Sequence, residues 1–424
     1  MPSLNEIRKR LKDRSPNNLI LLIGRNPVPN FVAACILQPQ TVYAIFTDDT
    51  EDVKDRLKKA LASSSVSWDR GAPKFEDVPL IKATDVDEVC RAVKSIPGGS
   101  ALHYTGGMKT MAAHVYHFWR EAGGGVLGQA SYLDESSTNL CFDDGVEENV
   151  DGAVLISVKG LAELHGLREF RAQSVPGENS LDGNPSANDA ALIVAEALKD
   201  PEGISKLNNL EVYFKVNFTH EEGDPIHAIF SKLSCSVPFS PAKAKNGGNH
   251  SEWINFIKYH KWLEVFTAHC VAEAGRQIES EGFEPGETLW NVTGETLAGR
   301  DFEIDVAHCR GHKIHVLSCT AAKPSNGLGK AKNKLFEVSL RARQLGGDFA
   351  RSAVVCFLGP VKDKKTGSGQ NQVRELQGDV EAAYGPIDEK GNRLVAHVPK
   401  VFGINHIKAW LDGDLSSLKK WLKG

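Results

Sequence analysis

A Thr-Gly-Gly-x-Lys segment near residue 105 carries the most recognisable chemistry in the sequence. The residues before Thr105 read as the end of a buried strand, and apolar residues recur at helical spacing from Met108 onward. Gly106 and Gly107 therefore predict a turn where the backbone can approach a ligand and the amides of the helix start point outward. Lys109 adds a positive charge suited to phosphate. An ordinary strand-to-helix turn has the same local pattern, and this segment alone does not separate the two.

The elements around this segment predict a doubly wound parallel sheet. Residues 19–23 and 42–46 are continuous apolar runs, as expected of strands covered on both faces. Helical patterns follow the strands as far as residue 122. Ligands of such sheets bind beyond the carboxyl ends of the strands, so the loops there form one predicted rim. Its predicted ligand-binding residues are Gly24, Arg25, Asn26, Pro27, Asp48, Thr105, Gly106, Gly107 and Lys109. Asp48 is the weakest member, because its charge is wrong for phosphate and Asp before a helix is a common N-cap.

Composition limits the class of protein. A chain of 424 residues predicts two or three domains, and 41% hydrophobic with 25% charged residues is ordinary for a globular protein. The formal charge of -4 means that a nucleic-acid partner would have to meet a local basic surface. Eight cysteines without a CxxC pair favour reduced thiols. With no signal pattern and no run long enough to span a bilayer, we expect a cytoplasmic protein that uses no membrane.

The middle of the chain is the least readable part. Residues 154–158 and 210–218 resemble strands, and residues 188–198 resemble a helix. Residues 176–185 and 240–250 have the composition of loops, and Lys243 and Lys245 there favour a solvated hinge over a nucleic-acid contact. We therefore divide the chain into residues 1–145, a small mixed α+β middle region at 146–250, and residues 251–424.

From residue 251 the pattern changes to a second α/β unit. A long amphipathic helix extends to about residue 274, followed by strands near 289–292, 302–306 and 315–320, with a tight turn at Gly311. A helix at 330–345, a strand at 353–358 and two helices at 370–384 and 404–423 complete the unit. The order is helix, three-stranded meander, helix, strand.

Both units resemble parts of one known family. The Thr105 to Lys109 motif, together with Gly24 to Asn26 after the first strand, is similar to the CARF domain, the cyclic-oligoadenylate sensor of type III CRISPR systems. Met108 stands where this family usually has Thr. The second unit resembles the PD-(D/E)xK nuclease-like domain that some CARF effectors carry at their C-terminal end. The resemblance implies a Rossmann-like CARF domain, a restriction-endonuclease-like C-terminal domain, a homodimer, and activation by a cyclic oligoadenylate, with cyclic tetra-adenylate favoured.

The resemblance also implies an active site. Nucleases of this fold bind Mg²⁺ or Mn²⁺ with carboxylates on two strands, and a lysine on the second strand helps to position or deprotonate water. Glu303 and Asp305 match the first strand, and Glu264 lies in a helical Trp-Leu-Glu that matches the family. For Glu303, the polar face of a strand is an equally simple explanation. The candidate metal ligands are Asp305, Glu264 and Ser318.

Two positions depart from the family pattern. Ser318 stands where the family has an acid, and Thr320 stands where it has lysine. A hydroxyl brings no charge, and Thr320 cannot act as a cation. Lys323 is the nearest replacement, but it can reach the site only if the chain bends after Thr320. We therefore expect a migrated site of Glu264, Asp305, Ser318 and Lys323, with Cys319 more simply explained as core than as a nucleophile.

A histidine-rich turn offers a competing site. His308, Cys309, His312 and His315 include ligand types that zinc accepts. Adjacent residues of a strand face opposite ways, so His308 and Cys309 cannot both point at one ion. We expect exposed turn histidines here.

Two classes of function remain open. The first is a metal-dependent endonuclease that acts on DNA or RNA when cyclic oligoadenylate binds. The second is a regulator or messenger sink whose nuclease fold has lost its chemistry, or a ring nuclease in which Lys109 or Thr105 stabilises charge on the bound messenger.

Overall fold

The computed structural model describes residues 3–63, 66–175, 187–196, 198, 260–321, 327–362, 369–384 and 397–424. Its first sheet has seven strands in the order β3-β2-β1-β4-β5-β6-β7. Their bounds are β1 Asn18–Leu22, β2 Thr41–Thr47, β3 Lys74–Leu80, β4 Ala101–His103, β5 Ala130–Asp134, β6 Asn139–Phe142 and β7 Glu147–Asn149. Strands β1 to β5 pair in parallel, and β6 and β7 continue the sheet as antiparallel strands.

Helices cover both faces of this sheet, which explains why β1 is apolar throughout. Leu19 and Leu21 pack with one set of helices, and Ile20 and Leu22 pack with the other, because side chains alternate across a strand. The helices are α1 Leu4–Arg10, α2 Val28–Leu37, α3 Glu51–Leu61, α4 Val86–Ser95 and α5 Lys109–Glu121. The buried residues of α5 pack in the same core as Ile20 and Leu22; they are Met111, Val115 and Trp119.

The segment after β7 differs from its predicted structure. The strand predicted at 154–158 is wrong: α6 spans Val158–Leu164, and the Ser157 side chain caps it by accepting a hydrogen bond from the amide of Gly160. Strand β8, Arg168–Ser174, joins the second sheet. Helix α7, Ala187–Glu196, confirms the helix predicted near residue 190. The strand predicted at 210–218, both loop segments, Lys243 and Lys245 lie outside the described residues.

The second sheet has six strands in the order β15-β12-β11-β10-β9-β8. Its elements are α8 Lys261–Ser280, β9 Gly286–Glu295, β10 Asp301–Arg310, β11 Lys313–Thr320, α9 Leu328–Gly346, β12 Arg351–Cys356 and β15 Lys400–Phe402. Strands β9, β10 and β11 form an antiparallel meander, and β12 pairs in parallel with β11. The predicted order of helix, meander, helix and strand is therefore confirmed.

The remaining elements close the C-terminal unit. They are the hairpin β13 Pro360–Lys362 with β14 Gly369–Asn371, and the helices α10 Gln372–Ala383, α11 Ile404–Leu411 and α12 Ser416–Lys423. The single helix predicted at 404–423 is wrong, because the chain turns at Gly413, whose φ of +85° lies in the left-handed region. Together the two sheets confirm the predicted α/β fold class. Among the described residues, no helix is both long and apolar enough to cross a membrane.

Candidate functional site

The predicted rim lies where the strand order of the first sheet reverses. Strand β1 pairs with β2 on one side and with β4 on the other, so the loops after β1 and β4 leave the same edge in different directions. Such a reversal opens the crevice in which doubly wound sheets bind ligands. The structure therefore brings the loop of Gly24 to Pro27 beside the loop of Thr105 to Lys109.

Three glycines let these two loops touch. A Cβ added to Gly106 would lie 1.9 Å from the carbonyl oxygen of Leu22, and one added to Gly24 would lie 2.6 Å from the amide nitrogen of Gly107. Gly107 also has a φ of +76°, which other residues rarely adopt. Each glycine is needed for close backbone packing, so the rim presents backbone groups in place of side chains at its centre.

Asn30 is a rim residue that the sequence analysis missed. It is fully buried in α2, and its side-chain amide donates a 2.8 Å hydrogen bond to the Leu22 carbonyl, which Gly106 also approaches. The Oδ1 atom of Asn30 is buried with no hydrogen-bond partner among the described residues. The feature of the sequence that could have identified Asn30 is a single side-chain amide in an otherwise apolar helix.

The other predicted rim residues divide into exposed and structural ones. Arg25, Asp48 and Lys109 are exposed, and Lys109 is the first residue of α5, where the helix amides also favour an anion. Thr105 accepts a 2.6 Å hydrogen bond from the amide of Leu133 and so joins the β4 loop to β5. Pro27 is buried at the start of α2.

Asn26 connects the rim to the C-terminal unit. Its Oδ1 accepts a hydrogen bond from the amide of Val28, while its Nδ2 packs so closely on Gly347 that an added Cβ there would lie 2.3 Å away. A cavity of about 600 Å³ beside this contact is lined by Thr105 of the rim and by Arg343 and Asp348 at the end of α9. The rim and α9 are thus in direct contact.

Asp305 lies at the centre of a second candidate site, which we call the acidic pocket and define as Lys261, Glu264, Glu303, Asp305 and Ser318. The register of β10 and β11 places Asp305 opposite Ser318. Asp305 Oδ2 accepts a 2.9 Å hydrogen bond from Ser318 Oγ and a 2.6 Å hydrogen bond from the amide of Cys319. Ser318 therefore holds the carboxylate in place.

Helix α8 brings Glu264 and Lys261 into the acidic pocket. Lys261 Nζ lies 2.8 Å from Glu264 Oε2 and 3.7 Å from Glu303 Oε1. The Glu264 side chain is 9% exposed, whereas that of Glu303 is 57% exposed. Glu264 is accordingly an interior charge and Glu303 a peripheral one.

The pKa values show that negative charge is crowded in the acidic pocket. Burial raises the pKa of Glu264 to about 8, and the nearby charge of Asp305 adds to this against the opposing effect of Lys261. Burial also raises the pKa of Asp305, although the hydrogen bonds from Cys319 and Ser318 act the other way. Burial alone would lower the pKa of Lys261, but its hydrogen bond to Glu264 and the surrounding carboxylates raise it. A cation placed here would relieve the repulsion.

The donor set fits a hard divalent cation of the Mg²⁺ type. Glu264 and Asp305 supply carboxylate oxygens, and Mg²⁺ is commonly bound by one or two carboxylates together with water and substrate phosphate. In the described part of the chain, no group of three or more His, Cys, Asp or Glu side chains could hold a metal by itself. An ion bound here would have to keep several non-protein ligands.

A lysine other than the predicted one lies at this site, while the role of Lys323 stays a prediction. Lys323 lies outside the described residues, and Thr320 is buried at 5% exposure. Lys261 is the lysine that the structure brings to the two carboxylates, and the sequence analysis missed it. The feature of the sequence that could have identified Lys261 is its i, i+3 spacing to Glu264, which puts the two side chains on one face of a helix. Cys319 contacts Thr267 on α8, as expected of a core residue.

The expected exposure of the turn histidines is wrong. His308, His312 and His315 are each at most 1% exposed. His308 lies against Gly275 of α8, and the rings of His312 and His315 pack on Phe349 and Trp421. Burial lowers the pKa of His308 to about 4 and that of His312 to about 3. His308 shares a hydrogen bond with Thr288. These histidines are neutral interior residues.

Comparison with solved structures shows which proteins share this architecture. The structure of Can2 from Sulfobacillus thermosulfidooxidans in complex with cyclic tetra-adenylate matches with a TM-score of 0.63 and 15% identity, covering 99% of this chain and 99% of that chain. The chain has the fold of Can2. Protein VC1899 from Vibrio cholerae matches with a TM-score of 0.62 and 14% identity, covering 96% of this chain and 98% of that chain. The shared architecture confirms the predicted α/β fold class.

Sequence comparison adds nothing to this result. No family model matches the chain, and no curated protein matches it in sequence. At 14–15% identity, the likeness to Can2 and VC1899 establishes the fold, and function has to be argued from the rim and the acidic pocket.

Proposed function

We propose that this protein is a metal-dependent endonuclease of type III CRISPR defence that a cyclic oligoadenylate activates. The observation that carries the proposal is the acidic pocket, where Lys261 lies 2.8 Å from Glu264 on one side of the carboxylate pair formed with Asp305. This restores a lysine beside two carboxylates although Thr320 has replaced the usual one. The fold shared with Can2, which was solved with cyclic tetra-adenylate, supports the choice of messenger.

The rim supplies the chemistry for a cyclic, phosphate-rich ligand. Backbone amides at Gly106 and Gly107, the start of α5 and the exposed charges of Lys109 and Arg25 favour phosphate groups. A ring of identical nucleotides has rotational symmetry, and two copies of the same rim can bind it equivalently. We therefore infer that two protomers bind one messenger between them, with cyclic tetra-adenylate as the first choice.

In the acidic pocket, Glu264 and Asp305 would hold a Mg²⁺ or Mn²⁺ ion, which supplies an activated water and stabilises charge on the scissile phosphate. Ser318 and the amide of Cys319 orient Asp305. The pKa of Lys261 is raised, so Lys261 stays protonated and acts as a cation that stabilises negative charge on the phosphate; it cannot serve as the base. Glu303 lies at the mouth of the pocket, where substrate enters.

The proposal is tested with purified full-length protein, plasmid DNA and single-stranded RNA. We expect cleavage only when cyclic tetra-adenylate and Mg²⁺ or Mn²⁺ are both present, and none from an Asp305→Asn variant that still binds the messenger. Asp301→Asn is the matched control, because Asp301 is exposed at the start of the same strand. Tight messenger binding with no cleavage of any substrate at either metal would refute the nuclease.

Tight messenger binding without cleavage would support the second candidate function, a regulator that binds the messenger without cutting nucleic acid. Thr320 and Ser318 favour this reading, since neither brings charge to the pocket, and Lys261 already neutralises Glu264 without a metal. Linear products from labelled messenger would instead indicate a ring nuclease at the rim.

A further inference from the structure

The tip of the β10–β11 hairpin buries an excess of positive charge. Arg310 pairs directly with Lys313 across the hairpin, and His315 pairs with Arg351 on β12, so the three basic side chains lie on one face of the sheet. Arg310 is 2% exposed and Lys313 is 6% exposed, while Arg351 is half-buried. Basic side chains are almost never buried this deeply without partners.

One carboxylate opposes these three cations. Asp151, in the segment after β7, lies 2.8 Å from Lys313 Nζ and 3.3 Å from Arg310 Nη2. Within the described ranges it is the only acidic side chain that forms an ion pair with any of the three. Arginine does not lose its proton in proteins, so a net positive charge remains in a low-dielectric interior.

Several donors in this cluster also have no partner. Nε and Nη1 of Arg310 and Nε of Arg351 are buried without a hydrogen-bond acceptor in the part of the chain that the structure describes. Two of the Arg310 donors, one on each side of the Nη2 atom that faces Asp151, thus remain unused, and Phe283 lies over the guanidinium face at 5.4 Å. Unpaired guanidinium donors beside an ammonium group are suited to binding an anion.

We propose that Arg310, Lys313 and Arg351 together bind a small inorganic anion, which supplies the negative charge that Asp151 alone does not provide. The burial of these side chains restricts the ligand to the size of chloride or phosphate and excludes larger organic anions. The site lies at the joint between the two units, since Gly311 of the hairpin packs so closely on Gly152 that an added Cβ would lie 2.5 Å from its Cα. A bound anion therefore stabilises the connection between Asp151 and the hairpin, whether or not the protein is a nuclease.

Thermal unfolding of the full-length protein tests the site. Midpoints are measured in sodium gluconate, chloride and phosphate at one constant ionic strength. We expect chloride or phosphate to raise the midpoint saturably while gluconate does not, because a ligand that binds only the folded state stabilises it. The chloride and phosphate series separately show which ion the site accepts.

Two variants make the test specific. Arg310→Met keeps the packing of the stem and should remove the anion response, whereas Arg91→Met, at an exposed position of α4, should retain it. Asp151→Asn removes the competing carboxylate and should lower the half-saturating anion concentration by about tenfold or more. If Arg310→Met does not fold, the half-saturating anion concentration of Asp151→Asn decides whether the proposal holds. Equal responses to gluconate and the small anions, or an unchanged or weaker response in Asp151→Asn, would overturn the proposal.

Discussion

Replacing Glu264 by glutamine should stabilise the metal-free protein at the same time as it removes nuclease activity. Glu264 is 9% exposed, and its pKa of about 8 compares with an ordinary value of 4.5. Its negative charge is therefore unfavourable in the fold even with Lys261 beside it, unless a further cation binds. Glutamine keeps the shape and hydrogen-bonding capacity of the side chain and removes the charge.

The expected size of the effect follows from the raised pKa. Between pH 4.5 and about 8, the folded state holds a proton on Glu264 that the unfolded state has already released. The contribution of Glu264 to the free energy of unfolding is therefore greatest at low pH. It falls as the pH rises through this window, by at most about 1.4 kcal/mol per pH unit. Over the whole window of about 3.5 pH units, the loss is on the order of 5 kcal/mol. Glu264→Gln should not show this loss.

The assay is urea unfolding of both proteins in chelator at several pH values. The difference between wild type and Glu264→Gln isolates this carboxyl from other titrating groups. Glu279→Gln, on the exposed side of the same helix, is the control and should follow wild type. Added Mg²⁺ should recover stability at high pH in wild type only. If wild type and Glu264→Gln lose stability in parallel across the window, the electrostatic reasoning about the acidic pocket is wrong.

Three further predictions address the lysine, the rim and their connection. In a plasmid assay, Lys261→Met should lower the cleavage rate by about a hundredfold or more, since it removes a group that stabilises transition-state charge. Lys261→Arg keeps the positive charge and should restore part of the cleavage rate. Lys109→Ala should weaken cyclic tetra-adenylate binding in calorimetry by about tenfold, as expected for loss of one charge-assisted contact, while the exposed α4 variant Lys94→Ala should bind normally. Gly347→Ala places a Cβ 2.3 Å from Asn26 Nδ2 at a φ of +59°. It should therefore reduce messenger-stimulated cleavage while messenger binding persists. Unchanged stimulation would show that this contact does not couple messenger binding to cleavage.

The sequence predicts that the loops of the rim meet, because the determinants of this geometry are local. An apolar strand, a glycine turn and a helix start lie within a few residues of each other, and the doubly wound rule then brings separate loops to one edge. Asn30 was missed because its role depends on the carbonyl of Leu22, which only the packing of α2 reveals.

The acidic pocket was harder to predict because it is assembled from distant elements. Asp305 and Ser318 face each other through strand register, which the period-two pattern anticipates. Lys261 reaches Glu264 and Glu303 only through the way α8 crosses the sheet, and spacing along the chain does not specify that crossing. A tight turn is usually solvated, which predicts exposed histidines in this hairpin; they are buried because residues of α8, α12 and the segment after α9 pack against them.

Helix α9 has a further consequence for how the two units communicate. Its 19 residues end at Gly346, beside the contact between Gly347 and Asn26. Lys334, in its first half, is close enough for its charge to act against the burial that raises the pKa of Asp305. A helix of this length is about 28 Å long and stiff. A tilt imposed at its C-terminal end would therefore move its N-terminal half without refolding, so α9 forms a stiff connection between the rim and the acidic pocket.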